Sequence, residues 1–360
     1  MRIALHNCIV FSLGLTAIAL AQSMPAADSV DAADSFLGPW PPACVACLQA
    51  DGAIEIDGRL DEPAWIEQAA ITDSFMHPRA TEPPTDATSM RMCWDETNLY
   101  IAISMWDATM EASDQGRANA APADQWVQLF FDPNGDTHRY FELTIGPDDR
   151  KRGMTFARPP RHAGSIGADI DVSSVVFAAG IDGRRDSSAV HDQHWVIEIA
   201  VPWTIITEAT RDESPRLNER WRMNAARLRV TAAEDDAKSL LTSTWSAQRS
   251  SDLHEPEYWG VVEFRDASAD KAAPAVPPEY RAAWSLREYD HALRRWLEAD
   301  EARSLDDLST FDCRISPAIT WSWPPRLNQS GSTYALEITS NASDVLVLRS
   351  DGRLLWRSGQ

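Results

Sequence analysis

With 360 residues, 44% of them hydrophobic, the chain has material for a sizeable core and is not disordered as a whole. Its formal charge of −21 argues against duplex nucleic acid and anionic membranes as partners, since both would repel it. An acidic surface of this kind serves solubility, and it is compatible with calcium or with neutral ligands.

Arg2 precedes an apolar run from Ile9 to Leu20 that closes Ala19-Leu20-Ala21 before Gln22, the layout of a cleavable export signal over residues 1–21. The run falls short of the roughly 20 residues a helical membrane span needs. An exported protein (periplasmic, cell-surface or secreted) with no membrane span is expected. Residues 22–42, rich in Ala, Ser, Asp and Pro, read as a flexible leader. After the signal, Cys44, Cys47, Cys93 and Cys313 remain. An even number in an exported chain makes them disulfide candidates, with three pairings open. Cys44-Val45-Ala46-Cys47 lacks the second Cys pair or the following His that a zinc or haem-attachment motif carries.

Order is expected from Cys44. Ile54 to Ile56 reads as a short strand, and Ala64 to Ala70 as one helical turn. Met90 to Trp106 holds two strands around the turn Asp95-Glu96-Thr97-Asn98. Asp124 to Asp132 and Arg139 to Ile145 follow as strands joined through Asp132-Pro133-Asn134-Gly135-Asp136. Asp148 to Gly167 is read as a long, locally basic loop. Further strands are read at 172–178, 194–203, 221–230, 241–245 and 260–264. Many short strands with frequent turn signals predict a mainly β protein, an antiparallel β-sandwich over residues 43–266. An Ala/Pro-rich linker at 267–278 then leads to a small α+β unit at 279–360. That unit is read as one helix, from about Glu279 to Arg303, and three strands at 315–323, 333–339 and 345–356, the last a hairpin turning at Asp351-Gly352.

Ile54-Glu55-Ile56-Asp57-Gly58-Arg59-Leu60-Asp61-Glu62-Pro63-Ala64-Trp65, Trp94-Asp95-Glu96 to Leu99-Tyr100, Asp124 to Asp132, Trp195 to Trp203, and Thr244-Trp245-Ser246 leading to His254-Glu255-Pro256-Glu257-Tyr258-Trp259-Gly260 occur in this order. Together they resemble the family 9 carbohydrate-binding modules, part of a wider group of β-sandwiches that includes DOMON-type haem and sugar binders. The resemblance covers about Cys44 to Asp266. It implies a non-catalytic sandwich that binds the ends of polysaccharides. It also implies two tryptophans stacking on a terminal sugar, whose positions here carry Pro122 and Leu253. A polar partner of the sugar falls on Gln128, an arginine position falls on Glu142, and His254 lies on a binding loop.

Strand alternation sorts the side chains independently. Val127, Leu129 and Phe131 share one face of their strand, and Trp126, Gln128 and Phe130 the other. Phe141, Leu143 and Ile145 read as core, opposite Tyr140, Glu142 and Thr144. Leu99, Ile101, Ile103 and Met105 read as core, opposite Tyr100, Ser104 and Trp106. If the polar faces belong to one sheet, Gln128, Glu142, Glu198 and Arg227 form a platform edged by aromatics such as Trp106. Carboxylates and guanidinium groups suit sugar hydroxyls through charge-assisted hydrogen bonds. The candidate carbohydrate-binding residues are therefore Trp106, Gln128, Glu142, Arg227 and His254, and the expected partner is a polysaccharide or oligosaccharide. The basic loop around Arg150 to Arg161 offers a further site for a sulfated or uronic-acid sugar. No nucleophile elbow, HExxH, P-loop or dinucleotide fingerprint is present, which argues against free-standing catalysis. The alternatives are a haem or redox binder, drawing axial ligands from Met90, Met92, Met105, His138, Met154 and His162, and a structural surface protein.

Overall fold

The computed structural model describes residues 41–358, except 74, 79–83, 85, 107–124, 147–149, 163–164, 183–193, 233–237 and 312–319. The segment read as signal, the leader up to residue 40, Pro122 and Cys313 thus lie outside the described residues.

The strands in chain order are β1 (Cys44–Gln49), β2 (Ala70–Thr72), β3 (Thr88–Trp94), β4 (Asn98–Trp106), β5 (Gln125–Asp132), β6 (Tyr140–Ile145), β7 (Lys151–Phe156), β8 (Ala168–Ile170), β9 (Val176–Asp182), β10 (His194–Pro202), β11 (Arg220–Ala232), β12 (Lys238–Thr244) and β13 (Gly260–Arg265). They form one curled sheet in the order β8-β7-β6-β5-β11-β13-β1-β3-β4-β10-β9, with β12 beside β11 and β2 beside β3. Its two halves fold onto each other as a sandwich. Alternation decides which side chains meet inside. Val127, Leu129, Phe131, Phe141, Leu143 and Ile145 from one half face Leu99, Ile101, Ile103, Met105, Ile197 and Ile199 from the other. At one end Trp94, Trp203, Trp221 and Phe264 interlock edge to face, with ring centroids 5.0 to 6.4 Å apart.

Several elements differ from the sequence reading. The sheet is not wholly antiparallel, because β1 runs parallel to both β13 and β3 where it joins the two halves. The expected loop at 148–167 contains β7, whose Lys151 and Arg152 sit on a strand flanked by β6 and β8. Ile54 to Ile56 is not a strand. Trp203 opens a helix, α1 (Trp203–Thr210), since Pro202 ends the ladder and its φ suits the helix start. Cys44, Cys47 and Cys93 are free thiols, which corrects the disulfide reading for these three. Cys44 and Cys47, three apart on an extended strand, point to opposite faces. Cys93 registers with Leu48 rather than Cys47, so these two thiols also face apart.

The segment Asp57 to Trp65 is held by one carboxylate. Glu198 is fully buried and accepts from the Trp65 indole N–H at 2.8 Å and from the backbone N–H groups of Asp57 and Gly58 at 3.1 Å each. Gly58 has φ +84°, and a Cβ there would stand 2.7 Å from the Ala179 backbone, so only glycine fits. Burial pushes the Glu198 carboxyl up to about 7.

After the sandwich, residues 267–278 run along it: Arg265 Nη1 donates to the Asp270 and Ala272 carbonyls and Lys271 Nζ to that of Glu67. Helix α2 (Pro278–Glu298) packs Ala282, Leu286 and Leu293 on a small sheet of β14 (Arg326–Ser330), β15 (Thr333–Thr339), β16 (Val345–Arg349) and β17 (Leu354–Arg357). The sheet has four strands: the hairpin read at 345–356 supplies two of them, β16 and β17, and the strand beside β15 is 326–330, while residues 315–319 of the strand read at 315–323 lie outside the described residues. This unit docks on the β5–β6 turn. Arg353 pairs with Asp136 at 2.9 Å, Thr137 Oγ1 donates to the Gly352 carbonyl at 3.0 Å, and the Arg222 guanidinium lies 4.5 Å from the Tyr280 ring centre.

Candidate functional site

Strand register builds a mixed surface on the outer face of the half containing β5, β6, β7 and β11. One row across the strands is Leu228 and Trp126; the next is Ala226, Gln128, Thr144 and Arg152; the third is Asn224, Phe130, Glu142 and Met154. The half-buried Trp126 indole lies against Gly146, where a Cβ would come within 2.7 Å of the ring. No larger residue at 146 would leave the indole in place. Beside it, Gln128 Nε2 donates to Glu142 Oε1 at 3.1 Å and Thr144 Oγ1 donates to the same oxygen at 3.0 Å. Aromatic packing of Phe130, Tyr140, Phe156 and Trp259 forms the floor of the third row and beyond.

The loop Gln248–Trp259 folds over this floor and brings His254 to the carboxylate. His254 Nε2 lies 3.4 Å from Glu142 Oε2, and its Nδ1 lies 2.9 Å from the Tyr140 hydroxyl. A carboxylate can only accept, so Nε2 carries a proton toward Glu142. Burial holds the Tyr140 hydroxyl well above its ordinary titration range, so it stays protonated. Arg161 anchors the loop: Nη1 donates to the His254 carbonyl at 2.7 Å, and Nη2 to both Glu257 oxygens at 2.8 Å. Burial alone would raise the Glu257 carboxyl, but the Arg161 and Arg287 guanidinium groups bring it down to about 2. Burial and the neighbouring Glu257 push Glu255 up to about 7, while it accepts the Arg249 and Ser250 N–H groups.

Of the sequence candidates, Gln128, Glu142 and His254 come together. Arg227 does not join them. It registers with Val127, so its side chain enters the sandwich interior, where it donates to Gln125 Oε1, Thr88 Oγ1 and the Trp106 carbonyl. The reading that put Arg227 on the ligand platform assumed the wrong face. Trp106 stacks on His194, centroids 4.3 Å apart, on the outer face of the opposite half, and Glu198 shares that half. Leu253 is half-buried against the floor and its carbonyl accepts the Trp259 indole N–H. In the basic segment Arg152 pairs with Asp169 and Arg161 with Glu257. Met90, Met92 and Met105 are packed in the core. His138 is buried in the β5–β6 turn, beside Asp351.

Among the described residues no group of three or more His, Cys, Asp or Glu side chains is arranged to hold a metal ion. In the Asp132-Pro133-Asn134-Gly135-Asp136 turn, Asp132 Oδ2 accepts the Thr137 N–H and Asp136 accepts from the His138 N–H and Arg353, while the buried Asp132 Oδ1 has no hydrogen-bond partner. Trp126 and Tyr140 complete the surface and were not among the sequence candidates. Alternation already placed Trp126 beside Gln128; what was missing was Gly146 as the floor beneath its ring.

The profile of the carbohydrate family 9 binding domain-like family matches residues 56–267. Exoglucanase XynX of Acetivibrio thermocellus is 24% identical over 156 residues, which cover 43% of this chain and 12% of that protein's length. A family 9 carbohydrate-binding module from Caldicellulosiruptor kristjanssonii, solved with cellotriose, aligns over 64% of this chain and 100% of its own at 12% identity and a TM-score of 0.39. A putative carbohydrate-binding protein from Bacteroides uniformis aligns over 62% of this chain and 100% of its own, at 10% identity and a TM-score of 0.43. With the profile spanning the sandwich from the Gly58 loop to the end of β13, the chain belongs to the carbohydrate family 9 binding domain-like proteins.

Proposed function

We propose that the outer face of the β5–β6–β7–β11 half is a saccharide-binding surface and that the protein is a non-catalytic, exported helper in polysaccharide recognition or breakdown. The observation that carries this reading is the pairing of an indole backed by Gly146 with the Gln128–Thr144–Glu142 network one row away. A pyranose offers an apolar C–H face to stack and hydroxyls to hydrogen-bond, and this surface offers both partners side by side. Membership of a carbohydrate-binding family supports it, and the name of the A. thermocellus relative points to glucan breakdown. In this reading Trp126 takes over the stacking that Pro122 and Leu253 are unsuited to give.

Titration of the purified chain against soluble glycans, with pull-down on insoluble ones and with and without calcium, tests the proposal. Trp126→Ala is expected to weaken binding by at least about tenfold, the scale of one lost stacking contact. Uniform lack of binding by the wild type, or unchanged binding by Trp126→Ala, overturns it. For export, the expected mass of the chain recovered outside the cytoplasm is that of residues 22–360; recovery of the intact chain inside the cell defeats that part of the reading.

A further inference from the structure

Resting on the saccharide reading, we propose that helix α2 of the C-terminal unit backs the saccharide surface, with Trp284 and Arg287 as positioning residues for the His254 loop. The spacing of the α2 side chains carries the inference. Ala282, Leu286 and Leu293 pack on the small sheet and account for one stripe of the helix. Trp284, Arg287, Glu288 and His291 stand at i, i+3, i+4 and i+7 and form a second stripe. A helix that only covered the small sheet would leave such residues in water. Here Trp284, Arg287 and Glu288 are buried.

The loop Gln248–Trp259 packs on this second stripe. The Trp284 indole meets the Tyr258 ring edge to face, with centroids 5.0 Å apart. Arg287 joins Arg161 in lowering Glu257, and its Nη1 donates at 3.2 Å to the Gly352 carbonyl, the oxygen that also takes the Thr137 hydroxyl. The charge of Glu288 meets Arg249 and Glu257 beside the Tyr258 hydroxyl, and that of His291 meets Arg249 and Glu257. The loop is thus held from both sides. Its front carries His254 to Tyr140 and Glu142, and its back carries Tyr258 and Glu257 to the helix.

Within the loop only Pro256–Tyr258 has regular structure, a single 3-10 turn. A segment of this kind takes its shape from outside partners, and any part left free must be ordered when a ligand binds, which opposes affinity. Docking on α2 does that ordering in advance. The C-terminal unit therefore sets the affinity of a surface built from sandwich residues. By linkage, a sugar that engages the His254 wall must also tighten the loop on α2.

The test joins glycan titration to hydrogen exchange on the full-length chain. The probe is whichever soluble glucose, mannose, xylose or N-acetylglucosamine oligomer binds the wild type most tightly. Trp284→Ala and Arg287→Met are each expected to weaken its binding by about tenfold and to speed amide exchange in 248–259, with β5 and β6 unchanged. Arg287→Lys, which keeps a cation beside Glu257, should recover most of the loss. In the wild type, saturating probe should slow exchange of residues 284–291, a readout that needs no variant. Variants that loosen the loop yet bind as the wild type does overturn the positioning role. So does a wild type whose residues 284–291 exchange equally fast with and without the probe. Unaltered loop exchange in both variants overturns the backing by α2 itself. Binding of none of the oligomers defeats the saccharide reading on which it rests.

Discussion

Trp65→Ala is expected to destabilise the protein by about 4 kcal/mol, lowering its melting temperature by roughly 10 °C, as read by urea or thermal unfolding. Trp65 is 1% exposed, so truncation leaves a cavity under the outer face of the β3–β4–β10 half, where its ring packs with Tyr100, Ala102 and Ala200. Its indole N–H is also one of three donors to the buried Glu198 carboxylate. Removing a donor from a buried acceptor adds its desolvation cost to that of the cavity. Trp65→Phe, which keeps most of the ring, should lose only about 1–2 kcal/mol.

The pH dependence of this effect has a definite sign. Glu198 is raised in the folded chain to about 7, above its ordinary value, so the fold binds its proton more tightly than the unfolded chain does. Its contribution to stability is full below about 4.5 and is lost as pH rises through about 7. The Trp65 N–H favours the ionised form, so deleting it raises the carboxyl further. The loss in Trp65→Ala should therefore be larger at pH 8 than at pH 5; an equal loss at both values would show that the cavity alone matters.

Arg161→Ala is the second large effect, with an expected loss of about 3 kcal/mol in stability and of most saccharide affinity. Glu257 is 5% exposed and takes both its bonds to Arg161 from one guanidinium nitrogen, so the variant leaves a buried carboxylate with Arg287 as its remaining cation. The same guanidinium holds the His254 carbonyl, so the loop over Glu142 loses its anchor. In the wild type Glu257 is lowered to about 2; it supports the fold above about 4.5, and that support fades as pH falls through 2. The difference between wild type and Arg161→Ala should thus be greatest at neutral pH and narrow toward pH 3. A difference independent of pH would remove the ion pair from the explanation. Unchanged saccharide affinity would separate the anchor from the binding surface.

Both variants bear on motifs visible in the primary structure. The Asp57-Gly58 and Trp65 pieces are legible as a family resemblance, and their physical reason is a carboxylate 133 residues from Trp65 in the chain. Glu198 itself reads in sequence as a polar residue between apolar neighbours, a candidate for the ligand platform. Only the pairing of β10 with β4 and β9 shows that it faces the Gly58 loop and is sealed beneath it.

Local chemistry alone determined much of this protein. Period-two alternation assigned the core faces of β4, β5 and β6, because on a pleated strand burial of one residue fixes the face of every second one. Turn residues located the ends of those strands. The order of motifs pointed to the family that residues 56–267 match. Alternation within a strand says nothing about which face of one strand continues onto the face of another. That depends on register between segments far apart in the chain. Register sent Arg227 inward opposite Val127, put Trp106 on the far half, and set Trp126 beside Gln128 over Gly146. It also let a loop more than a hundred residues downstream carry His254 to Glu142. The residue types of the site were readable one by one; their meeting required long-range pairing, which no local pattern encodes.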